Sequence, residues 1–340
     1  MNEEQIIEPG QEWIVDLFRP EDAPGVTRLF KTVYGVGYPI KTFIEPDKLI
    51  EENAAGRTIS SVARTPKGDV VGHNALFNSA PWTGIYESGA GAVHPEYRGG
   101  KHIFTRMVRH GVEEAPKIFP VAAIFGEPVC NHVFTQKMCH GQGWTSFALE
   151  VDLMPAAAYA QEKSAAGRVS TLLDFFTIEP RPHTVYLPPV YETSLRFIYQ
   201  ALDDERRLLT AEKTSPDRAG TVIKAQVFDF AQVARLTVWE AGSDFETELD
   251  REIQAVLSRG MVVIQVWVKL TWPWIGRVVE ILRSRGFFLG GALPRWFDDD
   301  GLLMQKIIGR PCWEGIQLEY DRGRELMKLV KADWTGVSGC

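Results

Sequence analysis

Two adjacent glycines behind a proline constrain this chain more than any other residues. In the stretch 85–115, IYESGAGAVHPEYRGGKHIFTRMVRHGVEEA, Ile85 to Val93 alternates small and apolar residues and stops at His94-Pro95. Proline has no N–H for a sheet ladder, so a strand ends there. Arg98-Gly99-Gly100-Lys101 follows, and paired glycines permit a left-handed or crowded backbone path. From His102 onward, Ile103, Met107, Val108 and Val112 recur at helical spacing. A strand entering a helix through a glycine-rich, cationic turn points free backbone N–H groups at one spot. That spot suits an anion, most often a phosphate. The other reading of the same residues is a plain strand-turn-helix without a ligand.

Two phosphate-binding patterns fail here. The P-loop pattern finds Pro95 in place of its first glycine and His102 in place of its Ser or Thr. The dinucleotide fingerprint finds Gly89 and Gly91 but His94 in place of its last glycine. The run Val93-His94-Pro95-Glu96-Tyr97-Arg98-Gly99-Gly100 resembles the pyrophosphate-binding segment of the GNAT superfamily of N-acetyltransferases, Val-x-Pro-x-Tyr-Arg-Gly-x-Gly-x-Gly/Ala. The first half matches. In the second half Lys101 and Ile103 stand where later glycines would be.

The resemblance covers roughly residues 12–154, and the element order read from the chain agrees with it. Glu12 to Phe18 reads as a strand. Arg19-Pro20-Glu21-Asp22 opens a helix carrying Val26, Leu29, Phe30 and Val33, with its acids at the positive end of the helix dipole. A second helix spans Glu45 to Asn53. Ile59 to Ala63 and Val70 to Phe77 read as strands joined by the hairpin signal Thr65-Pro66-Lys67-Gly68-Asp69. After the central strand and helix come a strand at Val121 to Phe125, a helix holding Val133, Phe134 and Met138, and a strand from Trp144 to Met154. The fold implied is α/β (α+β), a mixed, mostly antiparallel central sheet flanked by helices.

What the resemblance implies for function is acyl transfer from acetyl-CoA, or another acyl-CoA, to an amine. Its cofactor-facing positions fall on Val93, Arg98, Gly99, Gly100, Lys101, His102 and Ile103, and on Asn131, which otherwise caps a helix. An amine nucleophile needs a base, and a carboxylate serves directly or through water. Glu87 lies on the central strand at an offset that several GNAT enzymes use. Its small, apolar neighbours would raise its pKa, unless it simply faces solvent. Glu127, at the end of the next strand, is a second carboxylate able to touch substrate. The tyrosine that commonly acts as general acid in the family is missing, and Cys139 stands in its place as either a proton donor or a small core residue. Cys130, His132, Cys139 and His140 match no standard zinc spacing, so no metal is expected.

Composition narrows the partners. At 340 residues the chain favours two domains over one, and its net charge of -7 argues against nucleic acid or an anionic membrane. Four cysteines are too few for a disulfide framework at this length, which points to a reducing cytoplasm. The acidic start MNEEQIIEPGQEW carries no signal-peptide core, and Met261 to Val268 falls short of the ~20 apolar residues that span a bilayer. Oligomeric state is open, a homodimer included.

The second half partly repeats the first. Residues 155–180 are Ala-rich and polar at their start and read as an exposed helix or linker. Val190 to Leu209 holds a helix. Strands follow at Thr221 to Phe230 and Ala234 to Glu240, then a helix over Phe245 to Arg259, a buried strand over Met261 to Val268 and a helix from Pro273-Trp274. Strands over Phe288 to Pro294 and Leu302 to Ile307 and a helix over Glu319 to Lys331 complete the chain, with a frayed end from Trp334. The succession strand, Pro128, helix, Gly143-Trp144 recurs as strand, Pro273, helix, Gly286-Phe287. The expected layout is therefore a GNAT-like domain over 1–154, a linker over 155–180 and a second GNAT-like domain over 181–340. The second copy's turn, Glu240-Ala241-Gly242-Ser243-Asp244, is acidic and repels pyrophosphate, so it should not hold CoA. The alternative function is a catalytically weak GNAT-like module that senses a ligand or binds a protein.

Overall fold

Strands in the first half of the chain carry apolar residues in adjacent pairs, and such strands must be covered on both faces. A computed structural model describes residues 7–35, 38, 40–100, 102–159, 167–202, 205–212, 214, 216 and 220–338. Its contacts divide the chain into two units, Met1–Gly126 and Glu127–Cys340.

The first unit runs β1 (Ile14–Leu17), α1 (Ala23–Tyr34), α2 (Pro46–Ala54), β2 (Thr58–Arg64), β3 (Val70–Phe77), β4 (Ile85–Val93), α3 (Ile103–Glu114) and β5 (Ala123–Gly126). Strands β1 to β4 pair antiparallel in sequence order, and β4 pairs parallel with β5 through the α3 crossover. Val62 and Val70 meet Phe30 and Leu49 of the two early helices, while their neighbours Ala63 and Val71 meet Tyr97, Ile103 and Met107. The early acids do more than serve a helix dipole: Asp22 is buried and receives Arg64 Nε at 2.5 Å.

The second unit contains α4 (Phe134–Gly141), β6 (Thr145–Met154), β7 (Val169–Thr177), β8 (Thr184–Leu187), α5 (Glu192–Tyr199), β9 (Arg207–Thr210), β10 (Val222–Phe228) and β11 (Val233–Glu240). It continues with α6 (Phe245–Ser258), β12 (Val263–Lys269), α7 (Ile275–Ser284), β13 (Phe288–Phe297), β14 (Asp299–Ile307) and α8 (Asp321–Ser338). Among the described residues its sheet runs β7-β6-β13-β14-β12-β11-β10, antiparallel except for β11 beside β12. Strands β8 and β9 form a separate parallel pair. Gly291 lets β13 reach β6: a Cβ there would stand 2.2 Å from the Phe147 carbonyl oxygen, and its φ of +140° suits glycine alone. Both units are mixed α/β, with mostly antiparallel sheets flanked by helices, as expected. Among the described residues no helix is long and apolar enough to cross a membrane.

Two local expectations are corrected. Residues 169–177, read as part of an exposed connector, form the strand β7 with Val169 to Phe175 buried. Its polar residues hid it, but its three buried ones have partners across the strand pair: Ser170 Oγ accepts from the Asp152 N–H at 3.0 Å, Thr171 donates to Glu150 at 2.9 Å, and Asp174 accepts from Ser146 at 2.6 Å. The end of the chain does not fray at Trp334. Helix α8 continues to Ser338, held by Asp333, which accepts from Tyr191 Oη at 2.7 Å and from the Leu289 N–H at 2.8 Å. β8, flanked by prolines at 182 and 188, was not anticipated.

Two buried carboxylates of the second unit behave oppositely. Asp300 has no exposed surface and accepts from Tyr199 Oη at 2.8 Å, Arg206 Nε at 2.6 Å and the Arg295 N–H at 2.9 Å. Burial pushes its carboxyl up, but the His183 imidazole and the Arg206 guanidinium outweigh that and hold it well below the usual range. Glu150 accepts from Gln265 Nε2 at 2.7 Å and from Thr171, yet burial and the Glu127 carboxylate push it up to about 7 against the pull of Arg235.

Removing the Asp300 carboxylate strands a buried guanidinium, so Asp300→Ala should lower stability by about 3–5 kcal/mol in urea unfolding. A loss under ~1 kcal/mol would show the cluster to be dispensable. Glu150 carries the opposite sign. Its folded form binds the proton more tightly than the unfolded chain, so its contribution is complete at acid pH and is lost as pH rises toward about 7. Glu150→Gln should flatten the fall of stability across that window, and an unchanged slope would assign the fall to other groups.

Candidate functional site

Strand β4 is built to come away from its neighbours. The register passes from Gly89 opposite Ala75 to Ala92 opposite His73, so Ala90 and Gly91 together face the single residue Asn74. Ala90 takes the left-handed conformation, φ +48°, at this bulge. Buried His73 holds it from β3, its Nδ1 lying 2.9 Å from the Ala90 carbonyl oxygen and its Nε2 3.0 Å from Ser60 Oγ. A carbonyl only accepts, so Nδ1 carries the proton and Nε2 accepts from the serine. Burial pushes this imidazole down to about 4, which keeps it neutral. Tyr34 Oη donates to the Gly91 carbonyl, and the Phe104 ring lies where a Cβ on Gly91 would stand, 2.3 Å away.

On its other side β4 pairs with β5 only from Ile85 to Glu87, whose partners are Ala123 to Phe125. Beyond Glu87, β4 runs on to Val93 while β5 ends at Gly126. Glu87 is thus the last residue of the parallel pairing, opposite Phe77 on β3, and is half-buried. Its carboxylate neighbours Tyr38, whose hydroxyl is pushed up by burial, by Tyr34 and by Glu87. The Tyr34 and Tyr38 rings lie 5.0 Å apart, and Phe30 lies 5.1 Å from Tyr38. This aromatic wall beside the carboxylate went unread in the sequence, where the apolar period of α1 ended at Val33.

Past Val93 the chain makes a short turn over Pro95–Tyr97, anchored by Tyr97, whose ring is buried and whose hydroxyl donates to the Glu8 carbonyl at 2.7 Å. Gly99 and Gly100 both take φ near +78°, at +78° and +77°, and His102 follows at +53°. Open space surrounds both glycines where a Cβ would be, so it is conformation, not crowding, that requires them. Helix α3 begins at Ile103 with no side chain capping it. Its first amides have no intrahelical acceptor and point, with the dipole, out of its N-terminus. Here a hollow of ≈ 260 Å³ is lined by Val93, Arg98, Gly99, Gly100, His102 and Ile103. The side chains of Val93 and Ile103 pack into the core beside Met107, so these residues offer a ligand their backbone. Arg98 is exposed, its Nε donating to the Val93 carbonyl at 3.1 Å. Lys101 lies outside the described residues.

Glu127, Asn131 and Cys139 fall in the second unit. Glu127 accepts from Arg235 Nη2 at 3.1 Å, and the same guanidinium reaches Glu150 at 3.3 Å and Gln265 at 2.9 Å, an arrangement that ties Glu127 into a buried network. Asn131 is buried. Cys139 is buried on α4, and burial with the Asp174 carboxylate nearby pushes its thiol up and keeps it protonated. Among the described residues no group of three His, Cys, Asp or Glu side chains is placed to hold a metal ion.

No protein-family model and no curated protein matches the chain. Among solved structures it is similar to the ribosomal-protein-S5-alanine acetyltransferase of Vibrio fischeri, at 14% identity over 48% of this chain and 92% of that one, with a TM-score of 0.39. It is similar to a putative acetyltransferase of Salmonella typhimurium determined with acetyl-CoA, at 13% identity over 50% of this chain and 96% of that one, TM-score 0.40. A spermidine/spermine N-acetyltransferase of Vibrio cholerae compares at 10% identity over 49% of this chain and 95% of that one, TM-score 0.38. Likeness at this level leaves function to be argued from the chain's own residues.

Proposed function

We propose that the protein is an acyl-CoA-dependent N-acyltransferase, with acetyl-CoA the first donor to test, acting by direct attack of an amine within a ternary complex. One observation carries this reading: a left-handed turn at Gly99, Gly100 and His102 leads into the uncapped N-terminus of a 12-residue helix, with open space at both glycines. Free amides and a helix dipole directed at one hollow suit a diphosphate. Arg98, exposed at the turn, adds charge that a pyrophosphate needs.

The bulge gives the same strand a second use. Its extra residue leaves the ladder, so backbone near Ala90 can meet a thioester carbonyl instead of a neighbouring strand. The thioester brings an activated acyl carbon, to which the amine nitrogen bonds as the C–S bond breaks and the sulfur leaves with the electron pair. Glu87, where β4 and β5 part, takes the proton from the attacking nitrogen, directly or through water. Structural neighbours solved as acetyltransferases act, by their descriptions, on ribosomal-protein alanine and on spermidine or spermine. The acceptor here is an amine of a small molecule or a peptide.

We further propose that the chain is a tandem of two GNAT-like domains, over 1–154 and 181–340. In support, β11, α6 and β12 form a parallel pair closed by a helix, as β4, α3 and β5 do. In the later copy Asp244 occupies the turn, accepting from the Thr221 N–H at 3.1 Å and Thr221 Oγ1 at 2.7 Å, so the turn is filled by the chain's own carboxylate. A second reading, a ligand sensor with little turnover, is favoured by the missing tyrosine, since Cys139 is buried on α4.

Acetyl-CoA at a hundredfold excess over its Kd should stabilise the protein by about 2.7 kcal/mol in thermal unfolding. Arg98→Ala should weaken binding by roughly tenfold, about 1.4 kcal/mol. No shift with any CoA thioester would end the acyl-CoA reading. Glu87→Gln should lower turnover by ~10²–10⁴-fold and leave the acetyl-CoA shift intact. Undiminished turnover removes Glu87 as base, while binding without turnover on any amine favours the sensor.

A further inference from the structure

A hollow of ≈ 190 Å³ lies within the second unit, where the end of α4, the starts of β6 and α8, and β7 meet. Three features of its wall are unexplained by packing. The first is Asp174, only 3% exposed, which accepts from Ser146 Oγ at 2.6 Å and forms no ion pair among the described residues. A buried carboxylate with so few donors is costly. Arg322 also lines the hollow and its charge draws the Asp174 carboxyl down, but it forms no ion pair with it: its Nε donates to the Ser146 carbonyl at 2.8 Å and its Nη2 to the Ile198 carbonyl at 2.7 Å.

The second feature is Trp144. Its indole is 3% exposed, and its Nε1 has no hydrogen-bond partner among the described residues. A buried N–H without an acceptor costs about 1–3 kcal/mol, so native proteins keep few of them. The third is the His140–Tyr320 pair, stacked at 3.8 Å between centroids, which adds a flat aromatic wall to that of Trp144. The hollow thus offers one carboxylate without a direct ion pair, one N–H without an acceptor, and π faces.

These complementary vacancies define the occupant. An anion would meet the Asp174 carboxylate, and an apolar guest would leave both polar groups stranded. An ammonium satisfies the carboxylate and is favoured by the rings. A neighbouring oxygen on the same molecule satisfies the indole N–H. The volume is below the roughly 300–1,000 Å³ of drug-sized pockets, so the guest is small. We propose that this hollow binds a small primary ammonium compound carrying a hydrogen-bond acceptor, of the amino-alcohol or amino-acid-amide class, with Asp174 receiving the ammonium and Trp144 donating to the acceptor. The site stands independently of the acyl-CoA reading.

The test uses the full chain with ethanolamine and glycinamide as probes, and acetamide and acetate as controls that lack the ammonium. Heteronuclear NMR follows the indole N–H resonances, with Trp144→Phe identifying the one that disappears. Ethanolamine or glycinamide should move the Trp144 resonance in a saturable titration, at least tenfold more tightly than acetamide, and acetate should not. Asp174→Asn should weaken the ammonium probes at least tenfold, and Trp144→Phe several-fold. The selectivity for ammonium over its neutral counterpart needs no variant, so it stands even if Asp174→Asn folds poorly. The proposal is overturned if no probe moves the resonance, which would mean a hollow holding water alone, if acetamide binds as tightly as the amines, or if Asp174→Asn binds them unchanged.

Discussion

The first unit depends on one extra residue in β4. Opposite Asn74 the strand carries both Ala90 and Gly91, so its second half leaves the register that its first half keeps. Backbone at a bulge must have its polar groups met by something other than the ladder. His73 and Tyr34 meet the two carbonyls from β3 and α1. With β5 pairing only as far as Glu87, the strand's last residues reach Val93 and the turn without that neighbour. The bulge, the carboxylate at the parting of the strands and the glycine turn are consecutive consequences of a single strand's path.

The second unit is organised around buried charge. Asp300 is surrounded by donors and stays ionised, while Glu150 and Asp174 are pushed up to about 7 and about 6, burial being the main cause for both. Glu150 receives donors from Gln265, Thr171 and Arg235 but stands beside the Glu127 carboxylate, whereas Asp300 and Asp174 differ in how many donors each receives. Asp300 has two guanidinium hydrogen bonds from Arg206 as well as Tyr199 and a backbone amide. Asp174 has a serine. A carboxylate left short of partners inside a protein marks either a proton held in place or a site awaiting a cation.

Much of the architecture was legible because it is written in local periods. The helical spacing of Ile103, Met107 and Val108, the hairpin signal at Thr65 to Asp69 and the glycine pair each dictate structure within a few residues. The bulge was not legible: alanine has no intrinsic reason to adopt a positive φ, and Ala90 does so because His73 and the pairing around it require it. Strand β7 was hidden for a related reason, since Ser170, Thr171 and Asp174 read as surface residues until their partners across the sheet are known. The turn residues and Glu87 are legible in the sequence, yet the aromatic wall of Tyr34 and Tyr38 beside Glu87 is not, because it comes from the last residue of α1 and the segment after it, some fifty residues earlier in the chain. Likewise nothing local announced that Glu127 would be tied to Arg235, more than a hundred residues later.

The central claim is that the amides just past Val93 receive a diphosphate. Hydrogen exchange resolved to single residues, with and without acetyl-CoA, tests it most directly. Protection that rises on binding at Gly99, Gly100 and the first amides of α3, Ile103 to Thr105, is the predicted result. Exchange at those amides that is unchanged under saturating acetyl-CoA would contradict it.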